Sequence, residues 1–279
     1  SVEACSLKDH TSFHDGDSMT PSVQTPSTEQ FEISITTAAG RVSAVVHTPT
    51  TFIPITSLVP LLRSLGKQAQ QLEETHAAVE GRLCSCTKGC AACCRMLVPL
   101  SPPEAFRLMD HVRQWPLEQQ QRLAVRLADI KSVLAAHGIW QRLLAVVESE
   151  QPPNDDDLAP LNEAYYSLRI PCPFLEDNVC SVYEERPSAC RELLVTSPPA
   201  NCDDIGSGTV EALPIPIRIG TILGLVWGEL TGSVPRLIPL PLVAEWVEHH
   251  QSERARKWQG TVLLNSALDK VQRYLSQGQ

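Results

Sequence analysis

Residues 56–95 read TSLVPLLRSLGKQAQQLEETHAAVEGRLCSCTKGCAACCR, a helical pattern that runs directly into a crowd of cysteines. Leu58, Leu62, Leu65, Ala69, Leu72, His76 and Val79 recur every three or four residues, the spacing of one face of an α-helix. Thr56 or Ser57 precedes them as a hydroxyl able to cap the first free N–H groups. A long amphipathic helix is therefore expected, delivering the chain into CTKGCAACCR at 86–95.

Upstream of this helix, FEISITTAAGRVSAVVH at 31–47 alternates apolar and polar residues on both sides of Ala38-Ala39-Gly40. That is the pattern of a β-hairpin with a glycine-containing turn. Residues 1–30 are rich in Ser, Thr, Pro and Asp and carry no apolar periodicity, so a disordered lead is expected there. Downstream, Pro102 or Pro103 opens a short helix toward Val112, and Pro116 opens one with Leu123, Leu127, Ile130 and Leu134 on a single face. Gly138 separates it from a helix over 139–148, and Asp155, Asp156 and Asp157 can cap a helix carrying Leu158, Leu161, Tyr165 and Leu168. Residues 170–217 are proline-rich and irregular, and helical patterns return over 220–230, 242–251 and 262–275. The expected fold is mainly α with a small N-terminal β-hairpin, and an irregular Pro/Cys-rich metal-binding segment packs on the helices. After the 1–30 lead, 31–279 reads as a single mostly helical domain.

The chain has 279 residues, 43% of them hydrophobic, and a net charge of −9. Such a chain can bury a large core, and its acidity argues against nucleic acid as a partner, since that contact wants a basic face. Apolar runs such as 215–226 are broken by Pro, Arg and Gly and fall short of the roughly 20 residues a membrane span needs, so no membrane association is expected. Without a basic and apolar leader, the sequence reads as cytoplasmic. The eight histidines form no HExxH, and His76 reads as a core or interface residue. Neither a glycine-rich phosphate loop nor a G-x-S-x-G elbow is present.

Ten cysteines are too few for a disulfide scaffold of this size, and eight of them fall into two groups. The first is Cys86, Cys90, Cys93 and Cys94, and the second is Cys172, Cys180, Cys190 and Cys202. Two- and three-residue spacings let a tight turn aim several sulfurs at one centre, as thiolate metal sites require. Gly89 allows the turn, and adjacent Cys93 and Cys94 suit separate roles better than a strained mutual disulfide. Thiolates crowded together need cations, which a metal supplies; Lys88, Arg95 and Arg191 stand beside ligand candidates and can offset the remaining charge, as cofactor-binding residues. Tyr183, Glu184, Glu185 and Arg186 lie between two ligand candidates and read as support for the loop carrying Cys190. Cys5 and Cys84 read as bystanders. One tetrahedral zinc ion or one cubane iron–sulfur cluster takes four thiolates, so eight cysteines leave open two centres, or one centre with structural or redox thiols. Three functions remain: an iron–sulfur protein, of 4Fe-4S type, favoured because eight cysteines without histidine exceed what one structural zinc needs; a structural zinc protein with an interaction surface; and a thiol redox or metal-trafficking protein.

CTKGCAACCR, followed by IPCPFLEDNVCSVYEERPSACRELL and then Cys202, resembles the YkgJ-type cysteine-cluster family, described as zinc- or iron-chelating CxxCxxCC proteins. The likeness runs over about 86–202 and implies that all eight cysteines are ligand candidates. Three residues separate Cys86 from Cys90 where the family name specifies two, which makes Cys84 a substitute. Flagellin lysine methylases resemble the same family, which implies iron–sulfur chemistry with S-adenosylmethionine and a protein substrate as one activity. The spacing is also similar to the radical S-adenosylmethionine motif, but Ala92 stands where an aromatic usually precedes the third cysteine, and the alternating strands of a barrel are missing.

Overall fold

The computed structural model describes residues 2–7, 27–151 and 155–277. Strand β1 (Val2–Leu7) leads to β2 (Thr28–Thr37) and β3 (Gly40–Pro49), which form an antiparallel sheet in the order β1-β2-β3. Alternation decides which face is buried: Phe31, Ile33 and Ile35 point into the core opposite Val46, Ala44 and Val42, while Glu32 and Thr36 face water. The expected turn is a tight one at Ala38-Ala39, and Gly40 opens β3 at φ 145°, a conformation that favours glycine. The first strand sits where the sequence carries no strand signal, within the lead expected to be disordered. It is a backbone ladder on the edge of β2, from Val2 opposite Ile35 to Leu7 opposite Gln30, and such a ladder needs no apolar alternation of its own. The rest of that expected lead, 8–26, lies outside the described residues.

Strand β4 (Phe52–Pro54) and a 3₁₀ turn over Ile55–Ser57 enter helix α1 (Leu58–Val79). Because that turn already continues into the helix, neither Thr56 nor Ser57 makes the expected side-chain cap. Leu58, Leu62, Leu65 and Ala69 are buried as read from the sequence, but Val79 is 84% exposed because the last turn leaves the core. After the first cysteine group come β5 (Pro99–Leu100), α2 (Pro102–Val112), α3 (Leu117–Ala136), α4 (Ile139–Glu148) and α5 (Asp155–Ser167). The expected irregular segment is built of short pieces: β6 (Leu175–Glu176), β7 (Val179–Cys180), α6 (Ser188–Glu192), and 3₁₀ turns over Tyr183–Glu185 and Pro199–Ser207. The chain closes with α7 (Ile219–Thr231), β8 (Ile238–Pro239), α8 (Val243–His249), α9 (Gln251–Arg254), β9 (Lys257–Gln259) and α10 (Gly260–Gln277).

The fold is mainly α, and α7 is its axis. It packs on α1, α2, α6 and α10, while α1 and α10 also cover the sheet. Phe106 of α2 meets Trp227 of α7 edge-on at 5.6 Å between centroids and Trp246 of α8 at 5.2 Å, contacts that add to the burial of these large rings. Two-stranded ladders β4-β9 and β5-β8 tie the chain ends of the two halves together. No helix among the described residues is long and apolar enough to cross a membrane.

Candidate metal centre

The two cysteine groups, far apart in sequence, are brought together by backbone hydrogen bonds between their loops. Cys172 N–H donates to the Cys94 carbonyl at 2.7 Å, and Ser85 N–H donates to that of Val195 at 2.9 Å. Val195 N–H returns a bond to Cys86 Sγ at 3.4 Å. The 3₁₀ turn over Ala92–Arg95 packs on the one over Pro199–Ser207, which carries Cys202. Tyr166 of α5 fixes that second turn by donating from its hydroxyl to the Asp203 carbonyl at 2.9 Å.

The thiols surround two chambers. The larger, about 60 Å³, is lined by Cys90, Cys93, Cys94, Cys172, Cys180 and Cys190. The smaller, about 20 Å³, is lined by Cys86, Cys90, Cys93 and Cys202. Cys90 and Cys93 therefore belong to both, Cys202 joins the first sequence group, and Cys94 joins the second. Cys84 lines neither chamber. Cys5 is outside the side chains described.

Burial and neighbouring thiols raise the pKa of six of these cysteines. Burial pushes Cys86 up to about 11 against the opposing Val195 N–H, and pushes Cys190 up to about 12 with help from the charges of Cys93 and Cys180. A hydrogen bond with Cys94, then burial, drives Cys93 far above the ordinary thiol range. Cys172, Cys180 and Cys202 are raised chiefly by burial, and the charge of Cys93 adds to each. An array of this kind loses its protons when a cation enters and takes their place.

Of the three cations read from the sequence, Arg191 is the closest in role. It donates from Nε to the Arg186 carbonyl at 2.9 Å and from Nη2 to that of Glu184, and its charge favours ionised Cys180. Burial, then the neighbouring Arg63 and Arg186, lower its pKa. Lys88 Nζ lies 5.1 Å from the centre of the Tyr183 ring, across on the second cysteine segment, and Arg95 Nη1 donates to the Ala91 carbonyl of its own loop at 3.4 Å. From its place beside Pro187, Arg186 is expected to support the ligand candidates and fix the loop of Cys190. Its guanidinium stacks on Tyr183 at 3.9 Å, lines the larger chamber, and favours the ionised forms of Cys93, Cys180 and Cys190.

A buried polar hub holds the Cys190 loop in place. Ser101 and Glu104 form a capping box at the start of α2, with Ser101 Oγ donating to Glu104 Oε2 at 2.9 Å. The other oxygen of Glu104, fully buried, accepts from Ser188 N at 2.8 Å, from Ser188 Oγ at 2.7 Å and from Arg63 Nη2 at 3.1 Å. Ser188 opens α6, two residues before Cys190. The S-P-P-E run at 101–104 is the signal by which the sequence could have revealed the box, and Asp177-Asn178, both at positive φ between β6 and β7, is the turn signal that sets Cys180.

Residues 85–204 match the family model CxxCxxCC, "Putative zinc- or iron-chelating domain". That segment is therefore similar to the CxxCxxCC family. No curated protein and no solved structure matches the chain. The donor chemistry of the CxxCxxCC segment agrees with metal chelation: both chambers are lined by thiols with no carboxylate or imidazole, the set that selects zinc or iron–sulfur over magnesium or calcium. Among the described residues no three His, Cys, Asp or Glu side chains are arranged to hold one metal ion. The thiols ring the chambers rather than closing on a point.

Proposed function

We propose that this protein is an iron–sulfur protein whose eight grouped cysteines are the ligands. Cys94, Cys172, Cys180 and Cys190 would hold a cluster in the larger chamber, and Cys86, Cys90, Cys93 and Cys202 a second centre in the smaller. The observation that carries the reading is the convergence of six cysteines, drawn from both groups and with no carboxylate or imidazole among them, around the larger chamber of about 60 Å³. Such a space is several times the roughly 10–15 Å³ that a single water-sized occupant needs. When bound, a cluster supplies one-electron transfer, the chemistry that redox or S-adenosylmethionine-dependent modification of a substrate would draw on. Within this reading Arg186 and Arg191 offset excess negative charge on the thiolates, and Glu104 fixes the turn that presents Cys190.

A second reading, two structural zinc ions, draws support from the smaller chamber, whose 20 Å³ and four cysteines suit one tetrahedral ion. Anaerobic purification separates the two. The iron–sulfur reading expects a brown protein whose visible absorbance bleaches on reduction, with iron and acid-labile sulfide in comparable amounts. A colourless protein carrying zinc and no sulfide would overturn it in favour of zinc.

A further inference from the structure

A third cavity, about 350 Å³, shares a wall with the larger thiol chamber. Arg63, Lys67 and Gln70 of α1 form one side and Tyr183, Arg186 and Arg191 the other. Tyr183 and Arg186 line both spaces, so anything bound here lies one side chain away from the thiols. Its volume is within the roughly 300–1,000 Å³ typical of small-molecule sites.

The charges in this cavity are unevenly matched. Arg63 is answered by Glu104 at 3.1 Å and Glu185 at 3.3 Å, although its buried Nε has no hydrogen-bond partner. Arg186 and Arg191 bond only to backbone carbonyls, leaving both Nη groups of Arg186 and Nη1 of Arg191 without acceptors among the described residues. Lys67, exposed at the rim, has no ion pair among those residues either. Three acids also line the space, but they are placed differently. Glu192 is engaged with the Ile219 N–H at 2.7 Å, Glu184 is exposed, and Glu74 pairs with none of these cations. A half-buried Arg186 with both Nη groups free, a half-buried Arg191 with Nη1 free and an ammonium at the mouth make an oxyanion receptor.

We propose that this cavity binds a small molecule through a carboxylate or phosphate group held by Arg186 and Arg191, with Lys67 at the entrance. The receptor stands on the cavity alone; that the ligand then sits beside a metal rests on the function proposed above. The full chain as purified, labelled with ¹⁵N, is titrated separately with inorganic phosphate, succinate and, as a salt control, chloride while the arginine Nε–H signals are followed. Saturable shifts of Arg186 and Arg191 with phosphate or succinate but not chloride are expected, and the tighter probe names the class of head group. Arg191→Gln and Lys67→Gln should each weaken binding several-fold, and Lys67→Gln, which touches neither thiol chamber, should do so at unchanged metal content; if Arg191→Gln fails to fold or loses metal, Lys67→Gln on the exposed face of α1 decides. No saturable shift, shifts matched by chloride, or undiminished affinity in the folded variants would overturn the proposal. Metal content measured on the same samples separates the two ideas, since a metal-bearing chain that ignores both probes fails only the receptor, and a metal-free chain that binds them fails only the metal reading.

Discussion

Glu185 lies outside both thiol chambers and still governs one of their walls. It accepts from Arg107 Nε and Nη2, each at 2.9 Å, and from Arg63 Nη1 at 3.3 Å, so the turn before Arg186 is clamped to α1 and α2. Burial alone would raise its pKa, but the Arg107 hydrogen bonds and the Arg107 and Arg63 charges outweigh it and hold the carboxyl below its usual value. A depressed carboxylate contributes stability that is present above its unfolded pKa and lost as pH falls through the folded one. Glu185→Gln should therefore destabilise by about 1–2 kcal/mol at neutral pH, and the difference from wild type should shrink as the medium becomes acidic, which urea unfolding at pH 7 and pH 3 would reveal. An equal difference at both would assign the effect to packing. The sequence marked Glu185 as loop support from its place between Cys180 and Cys190, but Arg63 lies 122 residues away and nothing local names it as a partner.

The helix α1 was legible because burial and period agree over its first three turns, Leu58 to Ala69. Its end was not, since Val79 keeps the apolar spacing while the chain turns away toward the cysteines at Gly81, at φ 80°. A glycine inside that helix has a packing reason: a Cβ on Gly66 would stand 2.6 Å from Ile219 Cγ1, where α1 crosses the start of α7. Gly66→Ala would normally favour a helix, yet here overpacking should win, at about 1–3 kcal/mol. Thermal unfolding would detect it, and a neutral or raised melting temperature would show that Ile219 moves aside freely. The hairpin β6-β7 and the short helix α6 were missed for a different reason. Two-residue strands and a five-residue helix carry too little pattern to stand out, and long-range bonds such as that from Ser188 to Glu104 hold them in place.

The sequence singles out eight cysteines as ligand candidates and arranges them by position along the chain, and the structure brings the two groups together. Folding regroups them: Cys202 moves to the chamber of Cys86, Cys94 lines only the chamber of Cys172, Cys180 and Cys190, and Cys90 and Cys93 lie between. No local pattern encodes this, because it depends on α1, α2 and α5 fixing the second cysteine segment through Glu104, Arg63 and Tyr166. If the metal is shared across the two groups, damage to either loop must be felt in it. The direct test is metal per chain in Cys90→Ala and in Cys190→Ala, purified side by side with the wild-type protein. The two proposed thiolate centres, each drawing on both groups, require both variants to lose metal, whereas unchanged stoichiometry in both would contradict them.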